Sequence, residues 1–184
     1  MHILLTRPLE DSKELILKFS SLGHKVSHLP VIKVEPIKYE EPDYSQFKGI
    51  IFTSSNAIKN LDLNRVDKKI ESYCVGSATE KVAKLNGFQN IISAEGNVNN
   101  LKELILQNFD SKNGSLLYVS GEIVSSRLDK DLISEGYSLK RLINYTVSST
   151  QEIKEEFRAQ LKTSIPDIIS VSYTHLTLPT NREV

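Results

Sequence analysis

Four apolar runs in this chain finish in the same way. The segments "LLTRP", "IFTSSN", "CVGSAT" and "YVSGE" each end in Thr, Ser or Gly just before residues with helical spacing. A strand that exits into a helix, repeated along a chain, leaves few folds open. Successive βα units close onto a parallel sheet with helices on its faces.

The remaining elements extend that pattern. Residues 2–6, "HILLT", read as a buried strand, and Leu15, Ile16, Phe19 and Leu22 then follow at helical spacing before Gly23. A second extended stretch, "KVSHLPVIKVEPI", begins at Lys25 and runs unusually long before the polar segment "YEEPDYSQ". From "GIIFTS" onward strand and helix alternate: a helix from about Asn56, "SYCVG", "SATEKVAKLNG", "NIISA", "NVNNLKELILQNF", "SLLYVSG" and a helix from Glu122. Another long extended stretch, "YSLKRLINYTVSS", follows, then a helix near "TQEIKEEFRAQLKTS" and a strand "PDIISV". The two long stretches bracket the alternating block and are expected to pair as a bridge. That places an inserted domain at 39–143 within a discontinuous first domain made of 1–35 and 146–171.

Composition removes several function classes. The 23 basic and 23 acidic side chains cancel, so the charge footprint of a nucleic-acid binder is missing. The N-terminal apolar run has no basic region before it, and no stretch reaches membrane-spanning length, which leads to the expectation of a cytoplasmic protein without a membrane partner. The single cysteine, Cys74, lies in an apolar strand and reads as a structural thiol. His2, His24, His28 and His175 are scattered with no metal-ligand spacing, so no metal site is expected. Neither a G-x-G-x-x-G nor a phosphate-loop motif is present, which disfavours nucleotide cofactors. No G-x-S-x-G elbow marks a nucleophilic serine.

The strand exits themselves carry the chemistry. Open parallel sheets take ligands at the carboxyl ends of their strands, where unpaired helix N–H groups and small hydroxyls suit carboxylates or phosphates. Ser, Thr and Asn at these places are also ordinary helix caps, and that alternative stands beside the ligand reading at each turn.

Four stretches together resemble the uroporphyrinogen-III synthase family: "ILLTRP", "GIIFTSSNAI", "YCVGSATEKVAKLNGF" and "LLYVSGEIVSSRLDKDLISEGYSLKRLINYTV". The resemblance implies two flavodoxin-like or Rossmann-like α/β domains of parallel sheet joined by a two-stranded linker. It also implies a lyase of porphyrin (tetrapyrrole, heme) biosynthesis that closes hydroxymethylbilane to uroporphyrinogen III, inverting the last ring with loss of water and using no cofactor. The substrate has eight carboxylates. Thr53, Ser54, Ser55 and Asn56, then Gly76, Ser77 and Thr79, then Gly121 and Glu122, are the matching candidates to hold its arms. Thr6 and Arg7 are the candidates from the other domain. Tyr145 matches the family tyrosine with the proposed catalytic role, a phenol that assists departure of the hydroxyl; its alternative role is a strand tyrosine packing its ring.

Two departures accompany the resemblance. Ser125 stands where the family often has an arginine, with Arg127 nearby. From Ser172 the chain reads "SYTHLTLPTNREV", which does not resemble the family and reads as a non-native tail of 172–184 on an incomplete first domain. A complete protein is expected to be monomeric, and a truncated one to self-associate and to risk inactivity. A non-catalytic, two-lobed module for small anions is the alternative function from a different class.

Overall fold

The computed structural model describes residues 1–150 and 153–171. It is a mixed α/β fold built on parallel sheet. In order, the elements are β1 (His2–Leu5), α1 (Leu9–Ser21), β2 (Lys25–His28), β3 (Ile32–Pro36), β4 (Phe47–Phe52), α2 (Ser55–Lys59), β5 (Glu71–Val75) and α3 (Gly76–Leu85). After these come β6 (Asn90–Ala94), α4 (Val98–Asn108), β7 (Ser115–Gly121), α5 (Leu128–Ser134), β8 (Leu139–Ser149), α6 (Glu155–Thr163) and β9 (Ile168–Ser170). The chain divides into two compact units, one of Met1–Val34 with the described residues from Ser148 onward, the other Glu35–Val147.

In the first unit β1 lies between β2 and β9, parallel to both. The four residues of β1 are all buried. Among the described residues β9 is an edge strand, with Ile168 and Ile169 about half exposed.

The second unit carries the larger core. Its sheet runs in the order β3-β8-β7-β4-β5-β6, with β4 parallel to β5 and β7, β5 to β6, and β7 to β8. Side-chain alternation along β4 feeds both faces of the sheet. Ile51 packs with Leu101 and Ile105 of α4 and Leu128 and Leu132 of α5. Phe52 instead meets Phe88 edge to face, ring centroids 5.5 Å apart. Each such fully buried side chain contributes about 1.5–3 kcal/mol. Helix α4 begins at a reciprocal cap, Asn97 and Asn100 each accepting from the other's backbone N–H.

Three sequence expectations are corrected. The stretch from Lys25 is two strands in different sheets, broken at Leu29–Val31. Pro30 has no N–H to continue a ladder, while Leu29 and Val31 donate to the carbonyls of Leu5 and Thr6. The helix expected from about Asn56 spans only Ser55–Lys59, because Asn60 folds its amide back onto the Asn56 carbonyl at its end. The helix expected from Glu122 begins only at Leu128, and Glu122 is therefore not at a helix start. The reading of 172–184 as a tail lies outside the described residues.

Cys74 is fully buried, and burial pushes its thiol up to about 12, with the nearby Glu80 charge adding to the shift. Among the described residues no helix is long and apolar enough to cross a membrane, and no group of three or more His, Cys, Asp or Glu could hold a metal ion.

Candidate functional site

From β4 the chain winds through β5 to β6 on one side, then crosses to β7 on the other side of β4. Parallel sheets open a crevice at such a reversal, outside the carboxyl ends of the two flanking strands. The residues leaving β4 and β7 there are Thr53 to Asn56 and Gly121 to Glu122.

The β4 exit is built from small polar groups already tied to the backbone. Thr53 Oγ1 lies 3.2 Å from the Tyr118 hydroxyl of β7, so the two strand ends are stitched across the reversal. Ser54 caps α2, its hydroxyl accepting from Asn56 N–H at 3.2 Å. Thr53, Ser54, Ser55 and Asn56 are all half-buried, which leaves them reachable at the crevice. Burial raises the Tyr118 pKa and the Thr53 bond offsets part of it, so this phenol stays protonated as part of the scaffold.

At the β7 exit the neighbouring strand changes step. Ser120 pairs with Ile143, yet Gly121 pairs with Tyr145, so Asn144 is an extra residue in β8. A bulge of this kind redirects side chains that strict alternation would place on opposite faces, and here Asn144 and Tyr145 are both buried. Tyr145 lies against Gly121: a Cβ on that glycine would meet ring carbons Cε2 and Cζ at 2.8 Å and the hydroxyl at 3.1 Å. Glu122 N–H donates to the Tyr145 carbonyl at 2.9 Å, and Thr146 Oγ1 donates to Glu122 Oε2 at 2.8 Å. Asn144 Nδ2 donates to the Ala57 carbonyl at 2.7 Å, tying β8 to α2, while its Oδ1 has no partner among the described residues.

That buried amide gives a sharp test. In Asn144→Asp a carboxylate would face the Ala57 carbonyl with no donor, and the expected cost at neutral pH is roughly 3 kcal/mol. Burial would raise the folded-state pKa above its unfolded value, so the variant should recover stability as pH falls and lose it as pH rises. Denaturant midpoints across pH 4 to 8 check this; a pH-independent loss would contradict it.

The sequence candidates are distributed as follows. Thr53, Ser54, Ser55, Asn56, Gly121, Glu122 and Tyr145 belong to the crevice strands and their neighbour β8. Gly76, at φ +77°, and the exposed Ser77 open α3 at the β5 exit, one strand further along the same edge, and α3 has no side-chain cap on its first N–H groups. Thr79 is in the core, 4% exposed. In the first unit, Thr6 is buried with its hydroxyl donating to the Ser170 carbonyl at 2.8 Å. Arg7 keeps 41% of its side chain exposed and sits 3.9 Å from Asp11.

Sequence reasoning missed Tyr118, Asn144 and Arg141. Arg141 reaches from β8 to the β7 exit, donating through Nε to Ser120 Oγ at 2.8 Å and through Nη2 to the carbonyls of Gly121 at 2.7 Å and Glu122 at 3.0 Å. Its Nη1 is 3.9 Å from Asp129. A cation between Leu139 and Leu142 in a strand was the available signal. A cavity of about 450 Å³ adjoins this corner, lined by Glu122, Ser125, Arg127, Lys130 and Arg141 among others. A larger one of about 700 Å³ lies at the opposite, amino ends of the strands, lined by side chains of both charges such as Lys48, Arg65, Asp67 and Asp110. The smaller cavity lies at the carboxyl end of β7, on its β8 side.

The family model described as uroporphyrinogen-III synthase HemD matches residues 13–172. The chain belongs to the uroporphyrinogen-III synthase family. The fold agrees with that membership. The solved structure of uroporphyrinogen-III synthetase from Helicobacter pylori 26695 superposes with a TM-score of 0.58 at 20% identity, covering 86% of this chain and 67% of that one. A mutant uroporphyrinogen III synthase from the extremely thermophilic bacterium Thermus thermophilus gives 0.54 at 13% identity, covering 92% and 71%. No curated protein sequence matches the chain at a significant level. Uroporphyrinogen-III synthases are cyclising lyases of tetrapyrrole biosynthesis whose substrate is hydroxymethylbilane, and membership of that family disfavours the non-catalytic anion module.

Proposed function

We propose that this chain closes hydroxymethylbilane to uroporphyrinogen III at the carboxyl edge of the Glu35–Val147 sheet, in the cytoplasm, with no metal or cofactor. One observation carries the location: Thr53 to Asn56, Gly121, Glu122 and Tyr145 converge on one strand edge of a chain whose residues 13–172 match the family. Thr53, Ser54, Ser55, Asn56, Gly76 and Ser77 receive carboxylate arms through hydroxyls and helix N–H groups. Arg7, in the first unit, has a guanidinium fork suited to a carboxylate. Thr6 and Thr79, with buried side chains, contribute through the backbone they fix. The Tyr145 phenol gives its proton to the departing hydroxyl as the C–O bond breaks, so water leaves and a cationic azafulvene remains. The held arms then decide which carbon attacks.

The domain reading belongs to the same proposal. Residues 1–35 with 146–171 form one Rossmann-like or flavodoxin-like domain and 39–143 an inserted one, joined through β3 and β8. The division of the chain at Glu35 and Val147 supports it.

Ser55→Pro tests the arm site with the fold preserved. Ser55 is the first residue of α2, where proline is tolerated, and Ser54 before it is extended at φ −152°, ψ 145°, as a residue before proline must be. The substitution removes one unpaired N–H. Affinity for uroporphyrinogen III, measured by titration, should fall roughly tenfold with the thermal midpoint unchanged. Unchanged affinity would remove the β4 exit from the binding site.

A further inference from the structure

Arg141 is a half-buried cation whose hydrogen bonds all run to the chain itself. Two of its guanidinium nitrogens serve three oxygens of the β7 exit, and the third faces Asp129 in the first turn of α5. The carbonyls of Gly121 and Glu122 would have continued into a helix had one begun there. Instead they point to the guanidinium, and the helix is postponed to Leu128. Those same two residues hold Tyr145, Gly121 by contact with its ring and Glu122 by its N–H on the Tyr145 carbonyl.

We propose that Arg141 is a positioning residue, whose guanidinium locks the Ser120–Glu122 exit against β8 and so fixes the Tyr145 phenol for proton donation; this rests on the role of Tyr145 given above. The fork geometry is essential to it. A lysine at the same place would keep the charge but present a single point, unable to serve Ser120 Oγ and two carbonyls together. Arg141 is thus distinguished from a residue that binds a substrate carboxylate, because three of its five N–H donors serve the Ser120–Glu122 exit and its remaining nitrogen faces Asp129. Loss of the fork should act on turnover, not on substrate affinity.

The test compares wild type with Arg141→Lys, and with Ser120→Ala as a milder variant that removes the Nε acceptor and the Ser120 hydroxyl's own bond to the Gly121 carbonyl while leaving both Nη2 bonds. Two readouts are taken: kcat and KM on hydroxymethylbilane, and amide exchange of Glu122 by NMR. Arg141→Lys should lower kcat roughly tenfold with KM within about threefold, and Glu122 exchange should accelerate roughly tenfold. Ser120→Ala should move both in the same direction by less, and it decides the matter should Arg141→Lys not fold. Wild-type kcat and Glu122 protection in the variants, or a rise in KM at unchanged kcat, would overturn the proposal. So would lowered kcat with unchanged Glu122 exchange, which assigns Arg141 to the substrate. If wild type itself makes no type III isomer, the functional reading fails, whereas the exchange experiment still decides whether Arg141 holds the exit.

Discussion

Tyr145→Phe is expected to lower turnover on hydroxymethylbilane by roughly 10²-fold, with KM within a factor of about three, since general-acid assistance contributes on that order. The ring that packs on Gly121 is retained in the variant, so the packing at the sheet edge should be preserved. Only the phenolic hydroxyl is lost. Steady-state kinetics with the type III isomer as the measured product, together with a denaturant midpoint, separate the two roles open to this residue. Unchanged turnover would return Tyr145 to packing. A fall in stability alongside turnover would mean that its hydroxyl serves the fold.

Gly121→Ala is expected to do more damage. Its new Cβ would overlap Tyr145 ring carbons at 2.8 Å, and the ring is already buried at 7% exposure, with little space to retreat. Overpacking of this kind costs about 1–3 kcal/mol. The phenol must also leave its place, so activity should fall at least as far as in Tyr145→Phe. A double-mutant cycle isolates the cause. In a Tyr145→Ala background the same Gly121→Ala change should cost little stability, because the ring it collides with is gone. Equal cost in both backgrounds would show that Gly121 is required for its backbone and not for the room it leaves.

Much of the fold was legible from local pattern. The apolar runs of β1, β4, β5 and β7 and their small polar exits identify parallel βα units, because burial on both faces of a sheet leaves no alternation and the following helix needs a cap. Thr53 to Asn56 could be found the same way. What could not be read is where distant chain intervenes. Pro30 splits one apparent strand because Leu5 and Thr6 supply partners on either side of it. The helix α5 starts only at Leu128, and the Gly121 carbonyl before it meets a guanidinium twenty residues beyond that glycine, so Glu122, which looks like a first-turn carboxylate, is instead bonded to Thr146. The bulge at Asn144 is equally invisible: nothing in "LINYTV" states that Asn144 and Tyr145 will both be buried, and only pairing with β7 makes it so. The role of Tyr145 came from resemblance, and the corner that holds it came from the fold.

The central claim is that this chain controls which carbon closes the ring. The most direct measurement is incubation with enzymically generated hydroxymethylbilane, followed by oxidation and separation of the type I and type III uroporphyrin isomers. The account predicts that type III predominates with the protein present and is suppressed in Tyr145→Phe and Gly121→Ala. An isomer mixture indistinguishable from that of the protein-free reaction would contradict it.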